Sequence, residues 1–164
     1  MSVLAYIGLG SNMGDPIEHV LAARTAIGAL PQVRSIRTSS MYSSSPVGYL
    51  AQADFINCVL ELECAGSIRS LFDDLQSIEL SLGRVRDQSN QNAPRTIDID
   101  LLLFGDESVN QPDLIVPHPR MHQRLFVLLP LQELTQALVN GILGRALADT
   151  EADFPGQRIQ RLSL

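Results

Sequence analysis

Ala93-Pro94-Arg95-Thr96-Ile97-Asp98-Ile99-Asp100-Leu101-Leu102-Leu103-Phe104-Gly105 decides how this chain reads. It alternates as a β-strand does: Ile97, Ile99, Leu101 and Leu103 fall on one face, and Thr96, Asp98 and Asp100 on the other. Two residues of strand advance about 6.6 Å, so both carboxylates can flank one cluster of ions. Left bare they repel, and a cation or water must screen them. Arg95 places a fixed positive charge beside the pair. Carboxylates beside arginine suit a metal–phosphate site, in which Mg²⁺ takes one or two carboxylates and completes its shell with phosphate oxygens. D-x-D is a short motif, and a solvated outer strand face is the commoner explanation when it stands alone.

Composition narrows the field. The chain has 164 residues and 45% hydrophobic content, which fits a single domain, 1–164, with a real core. No apolar run is long enough to span a membrane, and the start lacks a signal-peptide pattern, so a cytoplasmic location is expected. The net charge of −6 argues against a general nucleic-acid binder. All 12 basic residues are arginine. That excludes a Schiff-base lysine and a phosphate-loop lysine, whereas arginine clamps phosphate in bidentate fashion. Arg84, Arg86, Arg95, Arg120 and Arg124 gather around the two aspartates in sequence. Cys58 and Cys64 share one apparent strand, about 20 Å apart, beyond disulfide reach. They read as small core residues, and their spacing is not that of a usual zinc site.

Working outward, Val3–Leu9 reads as a strand and Gly10–Gly14 as a turn. Asp15, Pro16 and Glu18 then open a helix as N-cap, first-turn proline and capping-box partner, and Ile17, Val20, Leu21 and Ile27 give it an apolar stripe. Val33–Tyr42 reads as one half-exposed strand and Ser43–Ala53 as a loop. In Phe55–Glu63, Ile56, Cys58, Leu60 and Leu62 face one way, and Phe55, Asn57, Val59 and Glu61 the other. Ser67 caps a helix whose apolar residues recur from Ile68 to Leu82, and Gly83 ends it. Arg84–Pro94 is polar, aperiodic and long enough for a lid. Beyond the aspartate strand, Gly105-Asp106 suggests a hairpin returning at Leu114–Val116. Helices are then expected over Leu125–Leu134 and Ile142–Asp149, and a last edge strand in Gln157–Leu164. The order β-α-β-β-α-β predicts an α+β, ferredoxin-like sandwich with additional C-terminal helices and a hairpin. Its two helices lie on one sheet face, and Asp98, Asp100, Phe55 and Asn57 share the other.

Two other patterns compete. Gly8-x-Gly10-x-x-x-Gly14 resembles a dinucleotide-binding turn, which would make the chain an NADP-dependent oxidoreductase. It is not G-x-G-x-x-G, and β-α-β-β breaks the repeat that such a fold needs. His118 and His122 have a zinc-like spacing, but Pro119 interrupts the helix that it requires, so both histidines read as phosphate donors or structural residues. His19 reads as a surface helix residue.

Together the motifs resemble a known family, the 6-hydroxymethyl-7,8-dihydropterin pyrophosphokinases. Pro94–Asp100 is similar to its signature, as is Pro117-His118-Pro119-Arg120-Met121-His122 followed by Arg124 and Phe126. Gly10-Ser11-Asn12, Pro46-Val47-Gly48 with Gln52, Phe55 and Asn57, and Gly83-Arg84-Val85-Arg86 match in order. The resemblance covers Ala5 to about Leu134. It implies transfer of pyrophosphate from ATP to the pterin hydroxymethyl oxygen, with release of AMP, in folate synthesis.

By the same resemblance, Asp98 and Asp100 would hold two Mg²⁺ ions. Ser44, Val47, Phe55, Asn57 and Phe126 would bind the pterin, the two phenylalanines sandwiching it. Gln76, Glu79, Arg84, Arg95, His118 and Arg124 would bind ATP, and Arg84, Arg86 and Arg95 would act in catalysis. The expected partners are these two small molecules, with no nucleic acid and no membrane, and the expected state is a monomer. Residues 87–93 depart from the family in lacking an aromatic and extra basic groups. Each loss is expected to cost about 1 kcal/mol and to slow the reaction. A catalytically silent pterin- or nucleotide-binding paralogue is the alternative that this departure leaves open.

Overall fold

The computed structural model describes residues 2–45, 53–83, 96–147 and 153–163. In chain order the elements are β1 (Ser2–Ser11), α1 (Pro16–Gly28), β2 (Val33–Thr38), β3 (Tyr42–Ser44), β4 (Phe55–Ala65), α2 (Ile68–Ser81) and β5 (Asp98–Phe104). There follow β6 (Val109–Gln111), β7 (Leu114–Val116), a single 3₁₀ turn at Met121–Gln123, α3 (Leu125–Leu134), α4 (Gln136–Leu143) and β8 (Ile159–Arg161).

The main sheet is antiparallel, in the order β5-β1-β4-β3-β8, with β2 also paired to β4. Strand alternation divides its apolar residues into two cores. Ala5, Ile7, Leu9, Cys58, Leu60 and Leu62 pack with Val20, Ala23 and Ile27 of α1 and Leu71 and Leu75 of α2. Tyr6, Val59 and Leu102 pack with Leu125, Leu128 and Leu131 of α3 and Val139 of α4. The expected α+β sandwich is therefore present, but its second face is not open. α3 and α4 cover the middle of it, because their apolar residues need a surface to bury against. The aspartate end of that face lies beyond them.

Local chemistry explains most boundaries. The Asp15 side chain accepts from the Glu18 N–H at 3.3 Å, and Ser67 from the Ser70 N–H at 3.1 Å, so both helix starts fall where capping places them. Leu21 is exposed rather than part of the α1 stripe. Ala23 takes its place, because Val20, Ala23 and Ile27 lie along one helical line and Leu21 is a step of about 100° off it. The segment expected as one strand splits into β2 and β3. Ser39 is the reason: its N–H donates to the Val59 carbonyl at 3.0 Å, while its hydroxyl, not a carbonyl, accepts from the Val59 N–H at 2.9 Å. Ser43 and Ser44 belong to β3 rather than to a loop, paired with β4 and with the distant β8.

Three further expectations change. Leu114–Val116 pairs with β6, not with the aspartate strand. α4 lies at Gln136–Leu143 and stops where Gly144 takes a φ of +72°, so no helix begins at Ile142. In β5 the facing order slips between Leu101 and Leu103, opposite Ile7 and Tyr6. Leu102 is thus an extra residue, a bulge, and Leu103 joins the α3 side instead of sharing a face with Ile97, Ile99 and Leu101.

Candidate active site

At the end of the sheet beyond α3, three strands present one short row after another. Asp98, Gly10 and Asn57 stand side by side across β5, β1 and β4, and Asp100, Gly8 and Val59 form the next row. Residues facing one another in antiparallel strands project to the same side. The middle strand therefore contributes no side chain of its own; Leu102 packs beside Gly8, so the floor bare of β1 side chains lies at Gly10, between carboxylate and amide strands that stand two strand spacings, about 9.5 Å, apart. Gly8 and Gly10 lie inside β1 and form no dinucleotide-binding turn, which removes the basis of the oxidoreductase reading.

On the β4 side, Asn57 and Ser44 are both buried, and the Ser44 hydroxyl donates to Asn57 Oδ1 at 2.6 Å. Asn57 Nδ2 lies beside Gly10, and so does an edge of Phe55. This corner offers a fixed amide next to an aromatic ring. On the β5 side, Arg124, just ahead of α3, reaches Asp100 at 3.9 Å, and its guanidinium carbon sits 5.5 Å from the centre of the Phe126 ring. Phe126 is thereby tied to the carboxylate side as well as to the helix. Both members of the Arg124–Asp100 pair are partly exposed, so it contributes about 0–1 kcal/mol to stability and acts chiefly on the charge of the site.

Outside β5 lies a cavity of about 270 Å³. Phe72, Leu75, Gln76 and Glu79 of α2 form one wall, Asp98–Leu101 the floor, and Pro112–Ile115 with His118 and Pro119 the other wall. The edge of β5 is covered rather than bare. The buried Glu79 carboxylate accepts the Ile99 N–H at 2.7 Å, and the His118 N–H donates to the Leu102 carbonyl at 3.0 Å. These two bonds hold Gln76, Glu79 and His118 against the aspartate strand. Burial, together with the charges of Arg124 and Arg120, lowers the His118 pKa to about 4, although Asp98 pulls the other way. Its Nδ1 accepts from the Arg120 N–H at 3.2 Å, so the neutral ring carries its proton on Nε2.

Of the residues singled out in the sequence, the structure brings Asp98, Asp100, Gln76, Glu79 and His118 to one cavity. It brings Ser44, Asn57 and Phe55 to the corner across the floor. Val47, Arg84, Arg86, Arg95 and the lid lie outside the described residues. His19 is not a free surface residue: its Nδ1 lies 3.3 Å from the Ser11 hydroxyl, and that hydroxyl donates to the Thr96 carbonyl just ahead of Asp98. Sequence reasoning missed this link, the cavity walls Phe72, Leu75, Leu114 and Ile115, and the bare floor. Only the glycine spacing carried a signal, and it pointed to a turn.

No group of three or more metal-ligating His, Cys, Asp or Glu occurs among the described residues. Two carboxylates lining a cavity still fit Mg²⁺, which takes most of its shell from water and phosphate rather than from a protein cage.

The model of the family 7,8-dihydro-6-hydroxymethylpterin-pyrophosphokinase matches residues 6–136. The chain is 42% identical over 157 residues to the 2-amino-4-hydroxy-6-hydroxymethyldihydropteridine pyrophosphokinase of Pseudomonas aeruginosa, covering 96% of this chain and 95% of that one. It is 42% identical over 137 residues to the enzyme of the same name from Haemophilus influenzae, covering 84% of each. With that of Bacillus subtilis it shares 39% identity over 159 residues, 97% of this chain and 91% of the relative. Among solved structures, an HPPK-DHPS in complex with substrates superposes with a TM-score of 0.66 at 12% identity, over 89% of this chain and 42% of the larger one. That likeness supports the fold.

Proposed function

The chain belongs to the 7,8-dihydro-6-hydroxymethylpterin-pyrophosphokinase family and is a pyrophosphokinase of folate biosynthesis, and we propose that it works across the bare floor, ATP on the β5 side and pterin on the β4 side. The observation that carries this reading is the row Asp98–Gly10–Asn57: charge-binding groups on one flank, a fixed amide on the other, and no β1 side chain between them.

In the proposed reaction the pterin hydroxymethyl oxygen attacks the β-phosphorus of ATP. A new O–Pβ bond forms, the bond from Pβ to the oxygen bridging to the α-phosphorus breaks, AMP leaves, and the hydroxyl proton passes to solvent. Little covalent chemistry falls to the protein, so positioning and charge neutralisation dominate. The apolar walls of the cavity, Phe72, Leu75, Leu114 and Ile115, suit a flat base, and Gln76 supplies an amide there. Neutral His118 offers its Nε2–H as a donor to phosphate. Arg124 brings positive charge beside Asp100. Asp98 and Asp100 would hold Mg²⁺, two ions in the reading offered here; when bound, the metal neutralises phosphate charge. Asn57, its orientation set by Ser44, with Phe55 and Phe126, receives the pterin. By the family resemblance Arg84, Arg86 and Arg95 would act on the phosphates as catalytic residues and Val47 would bind the pterin; all four lie outside the described residues. Both half-sites lie on one chain, which favours a monomer acting as one domain. A cytoplasmic location fits the need for ATP, and among the described residues no helix is long and apolar enough to cross a membrane.

The deciding experiment is AMP release from Mg-ATP with and without 6-hydroxymethyl-7,8-dihydropterin. Pterin-dependent AMP is expected. Pterin binding without AMP would instead mark a silent binding protein.

A further inference from the structure

We propose that Gly10 is the positioning residue for the Asn57 amide, holding open the space into which that amide projects; the inference rests on the pterin half-site proposed above. Asn57 is 6% exposed, and its Oδ1 is occupied by the Ser44 hydroxyl at 2.6 Å. In this arrangement the hydroxyl donates to the amide oxygen, which leaves the NH₂ group at the other end. The NH₂ end is turned over β1. A Cβ added to Gly10 would lie 2.9 Å from Asn57 Nδ2 and 3.9 Å from Phe55 Cδ1.

Backbone conformation does not ask for glycine here. Gly10 has no left-handed φ and sits in a regular ladder opposite both Asn57 and Asp98. A glycine within a strand is a net loss relative to alanine unless something approaches closely. The close approach is the amide itself. Gly8, two residues earlier on the same face, differs: a Cβ there meets the Leu102 side chain at 3.6 Å, an ordinary contact. In Gly10→Ala the atom that must yield is the end of a side chain and not backbone. The fold therefore survives, while the amide turns away, loses its bond to Ser44 and presents the wrong geometry to a ligand.

The test is binding of 6-hydroxymethyl-7,8-dihydropterin to the intact protein saturated with a non-hydrolysable Mg-ATP analogue, with binding of the analogue measured separately. A second readout is the Asn57 side-chain NH₂ signal in ¹⁵N NMR spectra. Gly10→Ala is expected to weaken pterin binding about tenfold or more and to shift the Asn57 signal, with nucleotide binding held within about twofold. Gly8→Ala is expected to weaken pterin binding less than about threefold. Gly10→Ala combined with Asn57→Ala should bind no more weakly than Asn57→Ala alone, because the glycine acts through the amide. Unaltered pterin binding in Gly10→Ala, a further loss in the double variant, or an unfolded Gly10→Ala would each overturn the proposal. If the unaltered protein binds nucleotide but no pterin, the half-site reading itself fails and this inference falls with it.

Discussion

Asp98 and Asp100 share one face of β5 and line the cavity, with Arg124 reaching Asp100. In the proposed reading, removing either carboxylate takes away a metal-holding group without touching the cores on either face. Asp98→Ala and Asp100→Ala should therefore lower turnover by about 10²–10³-fold or more, while circular dichroism and the thermal midpoint stay near those of the parent. Normal turnover in both would remove the metal assignment. His118 makes a different prediction. Its folded pKa of about 4 lies below the ordinary 6.5. Between these two values the unfolded chain binds a proton that the folded chain refuses, so stability should fall as pH is lowered through that window. Urea titrations at pH 7, 5.5 and 4 should show the fall, and His118→Asn, which does not titrate, should show less of it. An equal fall in both would mean that other groups carry the dependence. At this scale the carboxylates were legible, since alternation alone puts both on one face. The tautomer of His118 was not: it depends on a backbone N–H at Arg120 and on burial that no local pattern encodes.

At the scale of elements, β5 is an edge strand that carries the charges of the site and must stay in register. Glu79 holds it from α2 through the Ile99 N–H. Glu79→Leu leaves that buried N–H without its acceptor and should destabilise by about 1–3 kcal/mol, whereas Glu79→Gln keeps an acceptor and should cost clearly less. Denaturant midpoints of the two variants separate these outcomes, and equal losses would count against the hydrogen bond. Helix starts were readable because Asp15 and Ser67 cap their own neighbours. Strand partners were less so. The break between β2 and β3 follows from one serine hydroxyl replacing a carbonyl, and β3 is completed by β8, which lies more than a hundred residues away.

For the whole molecule, the sheet serves two cores, and the second helical layer defines how much of the functional face stays open. Leu128 of α3 is fully buried in that second core. Leu128→Ala should cost about 2–5 kcal/mol, and thermal unfolding checks it. A loss below 1 kcal/mol would mean that α3 is not packed as described. Three hydrogen bonds pin the same helix to β3 and the residues just ahead of it: Glu133 accepts from the Tyr42 hydroxyl and from both the N–H and the hydroxyl of Ser40. Burial, reinforced by the hydrogen bond to Glu133 and its charge, pushes the Tyr42 pKa up.

The sequence by itself determined the α+β class, the helix caps, the facing of β4 and the pairing of Asp98 with Asp100, because each depends on side-chain period or on neighbours a few residues away. The rest emerged from how the strands and helices come together. That assembly turned Gly8 and Gly10 from an apparent turn into part of a strand, moved Leu103 across the sheet through a bulge, and laid α3 and α4 over the middle of a face that had seemed open. Those outcomes depend on which strands become neighbours. Space beside a backbone, such as the 2.9 Å that separates a Gly10 Cβ from Asn57, exists only once β1 and β4 have met.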